Sequence, residues 1–177
     1  TGLQYFLSYG TLLGAARCEG FLPWDYSIEV SMPRGDYERF IAVAVQQMRP
    51  GYYIHYSGND PYCWFDCVRV CKEGTHLERK KDRFFYARKR GVYISVYPVD
   101  NLKYGTSSLI SMRYRICRGL SGIIHCRLNQ RSRKLRLRGR VILRLSRVFP
   151  IQRLHAMRHR IPGRRRKGDF ALLGCRY

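Results

Sequence analysis

The second half of this chain is almost without acid. Between residues 101 and 177 one carboxylate side chain, Asp169, stands against 21 Lys and Arg, so that part carries +20 and residues 1–100 carry +2 of the total +22. Such one-sided charge argues for an anionic partner rather than a cationic or strongly apolar one. No apolar run reaches the roughly eighteen residues that would suggest a membrane-spanning helix. No C-x-x-C pair occurs, and the seven cysteines are odd in number. That argues against a complete disulfide framework and against zinc-ribbon spacing. Cys63, Cys67 and Cys71 recur every fourth residue, which leaves open a zinc site completed by His55 or His76. Spacers of three residues on both sides are rare for zinc, and reduced, partly buried thiols are the plainer reading. There is no internal repeat, and no low-complexity segment beyond the arginine bias.

What is present is a chain of 177 residues, 45% apolar. That is enough for one domain with a real core. Its organising stretch is Ser8 to Val30, SYGTLLGAARCEGFLPWDYSIEV. Tyr5 to Leu7 favour a strand. Gly10-Thr11 reads as a tight turn opening a short helix, Leu12 to Arg17, whose first amides are suited to a phosphate. After the turn at Gly20 to Trp24, Asp25, Ser27, Glu29 and Ser31 alternate with Tyr26, Ile28 and Val30. Alternation places the first set on one face of a strand and the second against a core. A phosphate-binding turn facing an acidic strand suits metal-dependent phosphoryl or nucleotidyl transfer, with carboxylates holding the cation that neutralises the phosphate.

These residues resemble the LicD family of lipopolysaccharide and teichoic-acid cholinephosphotransferases, which share a nucleotidyltransferase-like fold with the fukutin-type sugar transferases. The family reads G-T-L-L-G-A-x-R, then I-P-W-D-D-D-I-D, then D-Y-x-x-F. Gly10 to Ala15 with Arg17, Leu22 to Asp25, and Met32 to Phe40 match it. A second block, K-x-x-x-x-x-T before an acid, is similar to Arg69 to Thr75 with Glu78. A third, G-V-x-I-D-I-F-P-L-D, is similar to Gly91 to Asp100. The three blocks run in family order over about the first hundred residues. The chain opens at Thr1, inside what looks like family sequence, so the lack of a leader carries no information.

The resemblance implies an α/β (α+β) fold, a nucleotidyltransferase-like mixed sheet flanked by helices. Residues 1–100 would form the core, and residues 101–177 a basic, mostly helical part of the same domain. It implies transfer of phosphocholine, or a related phospho-alcohol, from a CDP-linked donor to a sugar of a cell-surface glycan, with Mg²⁺ or Mn²⁺ as cofactor. Gly10, Thr11 and Arg17 would hold donor phosphates. Asp25 and Glu29 would hold metal. The family acids at positions 27, 29 and 95 would be ligands and base. Here those positions are Ser27, Glu29 and Ser95, so two of the three carry no charge. Serine is a poor Mg²⁺ ligand. Little or no transferase activity is therefore expected, and a non-catalytic protein that binds nucleotide, glycan or anionic membrane is the rival reading. Ser27, Glu29 and Ser95 should converge from adjacent strands on a wet cleft.

The rest of the chain reads as follows. Asp36 to Met48 is a helix with Phe40, Ile41, Ala42, Ala44 and Val45 inward, stopped by Pro50-Gly51. Tyr52 to Ser57 and Tyr62 to Cys71 are a strand pair around a turn at Gly58 to Pro61. Arg79 to Arg90 is charged and exposed. Gly91 to Val99 is the strand to lie beside Tyr26 to Val30. Leu109, Met112, Ile116, Leu120 and Ile123 mark a helix from Ser107, and a second runs from about 131 to 147. Trp24 and Trp64 are read as core or pocket wall, Asp66 as a spare carboxylate, and Asp100 as a strand-end cap or turn. The arginine-rich part, with its cluster Arg164 to Lys167, suits an anionic membrane surface or a phosphorylated glycan. Its aromatics are too sparse to stack a single-stranded nucleic acid. The expected location is cytoplasmic, peripheral at the membrane.

Overall fold

The alternating segment after Gly91 becomes the central strand of a mixed sheet in a computed structural model of the chain, which describes residues 2–77, 91–101, 107–129, 141, 144, 146–160 and 170–171. The strands are β1 (Phe6–Leu7), β2 (Ile28–Pro33), β3 (Tyr52–His55), β4 (Val68–Lys72), β5 (Tyr93–Asn101) and β6 (Phe170–Ala171). They are ordered β1-β2-β5-β4-β3, with β6 pairing the far end of β5. β2 and β5 run parallel, while β4 is antiparallel to both β5 and β3. The helices are α1 (Tyr9–Cys18), α2 (Arg34–Gln47), α3 (Ser107–Leu128) and α4 (Ile151–Arg160). The α/β mixed fold expected from the sequence is the one observed.

Strand alternation splits this sheet into two unlike faces. One face presents Val30, Met32, Ile54, Val68, Val70 and Val96, packed against Tyr37, Phe40, Ile41, Ala44 and Met48 of the α2 segment. The spacing 37, 40/41, 44, 48 is that of one helix face. Ala42 and Val45, read as inward, are exposed instead. The α2 start is tied down by Arg34, whose Nε and Nη2 each lie 2.7 Å from the buried Asp100 carboxylate. Asp100 is thus one half of a bidentate ion pair across the end of the sheet rather than a cap.

The other face presents Glu29, Ser95, Tyr97, Arg69 and Cys67, and is partly roofed by the chain between β3 and β4. Residues 61–67 do not extend β4, which corrects the longer strand expected from Tyr62. Asp60 accepts from the Tyr62 amide at 2.8 Å, and its carbonyl accepts from the Cys63 amide at 3.0 Å. These bonds curl the chain so that Cys63, Phe65 and Cys67 bury together. The buried Cys63, Cys67 and Cys71 are thiols and not disulfides, and among the described residues no three of His, Cys, Asp and Glu cluster as metal ligands would.

α3 and α4 dock on this loop. Ile124, Leu128 and Leu154 form their shared core, with Trp64 packed against it. Arg158 is buried, forms an ion pair with Asp66 and donates to the Phe65 carbonyl at 3.2 Å, while Ser121 donates to Asp66 at 3.0 Å. Asp66 is therefore a docking post and not a spare acid. Met112 and Ile116, two of the apolar residues whose recurrence marked the helix, are exposed. α4 was not anticipated; its signal is Pro150, whose carbonyl accepts from Arg153 and Leu154 at the helix start. Most of the helix expected at 131–147 falls outside the described residues, as do Arg79–Arg90 and Arg164–Lys167.

Candidate functional site

The α1 start sits against the beginning of β2, and the small residues there have packing reasons. α1 begins at Tyr9, earlier than expected, so Gly10 and Thr11 lie in its first turn and are buried. A Cβ on Gly10 would fall 1.8 Å from Asp25 Oδ2. The Asp25 carboxylate thus lies on the positive end of α1, where the helix dipole favours it. Its Oδ1 accepts from the Ser27 amide at 3.0 Å and the Ser27 hydroxyl at 2.6 Å. Thr11 Oγ1 donates to the Ser27 carbonyl at 3.2 Å and accepts from the Glu29 amide at 2.9 Å, pinning α1 to β2. A Cβ on Gly14 would meet the Gly20 carbonyl at 2.5 Å, so this glycine lets helix and loop backbones touch.

Tyr9 adopts φ +51°, in the left-handed region that a tyrosine rarely occupies. The turn sets its ring edge-on to Tyr97, centroids 5.1 Å apart. Ser8 donates to the buried Ser31 hydroxyl at 2.5 Å, and its amide donates to the Glu29 carbonyl at 3.0 Å. Arg17 is exposed on the last turn of α1, two turns from Gly10–Thr11, so the structure does not bring the three together. Trp24 and Tyr26 are 76% and 77% exposed, which overturns both the wall reading of Trp24 and the core reading of Tyr26.

The register across the sheet is the expected one. Glu29 pairs with Ser95 on parallel neighbours, so their side chains share a face, and Ser27 lies two residues before Glu29. Ser27 is half-buried, but Ser95 is 4% exposed and faces the Cys67 thiol and the Tyr97 phenol. The cleft is therefore not wet at position 95. Burial pushes both neighbours up from their ordinary pKa values. The nearby Cys67 and Glu29 push Tyr97 further, so Cys67 stays a thiol and Tyr97 a neutral phenol at physiological pH.

The row continues with a residue that the sequence reading named only as the start of a family block and gave no part in the site. Arg69 of β4 pairs with Ser95. Its guanidinium stacks on Phe65 at 3.7 Å and Tyr93 at 4.1 Å, with Trp64 at 5.6 Å. The available signal was period-two spacing: in Val68-Arg69-Val70-Cys71, Arg69 faces away from the valines, toward the acidic row.

For Mg²⁺ or Mn²⁺ the donor set does not fit. These ions want an octahedron of oxygens built on carboxylates. Here Glu29 is the carboxylate in the row, Asp25 is bonded to Ser27, positions 27 and 95 are neutral hydroxyls, and Arg69 brings a positive charge to the same face.

Residues 2–107 match the family described as LicD/FKTN/FKRP, nucleotidyltransferase domain. The lipopolysaccharide cholinephosphotransferase LicD of Haemophilus influenzae is 46% identical over 50 residues, 28% of this chain and 19% of that protein. Uncharacterized proteins of Rickettsia prowazekii and Rickettsia typhi are 24% and 25% identical over 113 and 109 residues, covering 59% and 58% of this chain and 41% and 34% of theirs. The chain thus spans less than half the length of these relatives. No solved structure matches it.

Proposed function

The chain belongs to the LicD/FKTN/FKRP family, and from that premise we propose that it is a LicD-type phosphotransferase domain that binds a CDP-linked phospho-alcohol donor between α1, β2 and β5, with little or no turnover of its own. The observation that supports this reading is the Glu29–Ser95 pair: the two positions sit side by side on parallel strands, and position 95 carries a hydroxyl where the resemblance implies an acid. Metal-assisted transfer depends on anionic ligands that fix the cation against the pyrophosphate. Each ~1.4 kcal/mol of lost transition-state stabilisation is tenfold in rate.

The residues have distinct parts in this reading. Thr11 and Asp25 hold the α1 start on β2, Glu29 marks the acceptor side, and Tyr9 with Tyr97 walls the cleft. The acceptor is a glycan hydroxyl. The arginine-rich part attracts its phosphate groups or an anionic membrane surface. No helix among the described residues is long and apolar enough to cross a membrane. Titration calorimetry with CDP-choline tests donor binding, and release of CMP tests turnover. The expected result is saturable binding without CMP release; rapid metal-dependent turnover, or no binding, overturns the proposal.

A further inference from the structure

We propose that replacement of the family acid by Ser95 has turned this cleft from a cation site into an anion site, with Arg69 as the fixed charge that receives a phosphate group without a metal. This deepens the donor-binding reading by naming what holds the donor's phosphates.

Three observations support it. First, position. Arg69 is the cross-strand neighbour of Ser95, and Ser95 that of Glu29, so all three side chains share one face on successive strands. At roughly 4.8 Å per strand, Arg69 and Glu29 are about 10 Å apart along the row, enough to seat an anion near Arg69 without pressing it on the Glu29 carboxylate. An aspartate at 95 would lie beside the guanidinium and pair with it; a serine leaves the charge unneutralised.

Second, partners. Arg34, Arg39 and Arg158 each pair with a carboxylate: Asp100, Asp36 and Asp66. Among the described residues Arg69 has no ion pair. Its Nε is buried without an acceptor, and the side-chain partner it has is the sulfur of Cys67, a weak acceptor. A buried N–H of a cation left without an acceptor is costly, and an oxyanion supplies what is missing.

Third, orientation. The faces of the guanidinium are taken by Phe65 and Tyr93. Stacking of this kind leaves the N–H edge, which is the part that grips a phosphate in bidentate fashion. The rings also fix the group in place and lower the local dielectric, which strengthens the attraction.

The probe is inorganic pyrophosphate, titrated into the full chain in EDTA and again in Mg²⁺. The chain has two tryptophans. Trp24→Phe removes the exposed one and leaves Trp64, 5.6 Å from the Arg69 guanidinium, as the reporter. The expected result is a saturable change in Trp64 fluorescence in EDTA and no requirement for Mg²⁺. Arg69→Gln weakens binding at least tenfold and Arg69→Lys less, both with unchanged melting. Reversing charge at Arg164 to Lys167 leaves the Trp64 signal in place, separating the cleft from general attraction to the basic part. Ser95→Asp also abolishes binding, because it gives Arg69 a partner.

A silent Trp64 in EDTA, a strict need for Mg²⁺, or unchanged binding in folded Arg69→Gln overturns the proposal. If Arg69→Gln does not fold, the Trp24→Phe titration and Ser95→Asp decide. Pyrophosphate bound through Arg69 with CDP-choline refused defeats the donor reading and leaves the anion site standing. CDP-choline bound only with Mg²⁺ defeats the anion site and leaves the donor reading standing.

Discussion

The two faces of the sheet are built from the same strands and are held by different physics. Under α2, Val30, Met32, Val68 and Val96 meet a helix face of Tyr37, Phe40 and Ala44, with the Arg34–Asp100 ion pair closing one end of the layer. On the reverse, within the same residues counted one step along, lie Glu29, Ser95, Arg69, Cys67 and Tyr97, and the roofing loop is held by the Arg158–Asp66 pair and Ser121. The first face is stabilised by area removed from water, which is non-directional and tolerant of volume-conserving change. The second depends on directed polar contacts, each of which fails separately.

The sharpest break of the comparison uses neighbouring residues and one substitution. Val96 and Ser95 are 3% and 4% exposed, on opposite faces. Val96→Asp buries a carboxylate among valines and is expected to cost about 4 kcal/mol or more, enough to prevent folding. Ser95→Asp meets Arg69 and is expected to cost about 1–2 kcal/mol. Urea unfolding of the two variants reads the difference; equal losses would mean that Arg69 does not offset a charge at 95.

Arg158→Met removes one partner of the buried pair and strands Asp66. It is expected to destabilise the docking of α3 and α4 by about 3 kcal/mol. Limited proteolysis should then release these helices before the sheet opens, whereas a single cooperative loss would show the two layers to be one unit.

The roof, unlike α2, should also feel acid. Buried His155 of α4 is held down to about 4 by desolvation and by Arg158. Because its folded value lies below the unfolded value of about 6.5, the unfolded chain takes the proton first. Its share of stability is full above about pH 6.5 and is lost as pH falls toward 4, a change of roughly 3 kcal/mol at most. His155→Gln should flatten that part of the pH–stability curve; an unchanged slope would place the acid sensitivity elsewhere.

The smallest effects concern glycines. Gly14→Ala presses a methyl on the Gly20 carbonyl and is expected to cost about 1–3 kcal/mol. Gly119→Ala on α3 meets nothing within 4 Å and should stabilise by about 0.5 kcal/mol. Thermal melts of the pair test whether α1 truly rests backbone to backbone on its loop.

Much of this was readable without coordinates. The period-two runs in Ile28 to Val30 and Gly91 to Val99 and the helix before Pro50 depend on local chemistry, so they survived folding with boundaries moved by a few residues. That Gly91 to Val99 lies beside the strand of Glu29 was legible through family resemblance; that the two run parallel was not. Missed features depend on distant partners. The 61–67 segment has strand-like composition, yet Asp60 and the buried cysteines curl it. Half of the residues of α4 are Arg or His, and its burial rests on Asp66, 92 positions before Arg158.

Sequence by itself determined the alternation, the family blocks and the loss of charge at positions 27 and 95, since these are properties of residue order. Tertiary structure decided what the remaining charges do. Asp25 is turned onto the α1 start and Ser27, Asp66 and Asp100 are taken by Arg158 and Arg34, and Arg69 is stacked between two rings beside Ser95. A charge acquires its role from the partner within a few ångströms, because Coulomb attraction and desolvation are set by spatial neighbours, and those neighbours are assigned by the fold.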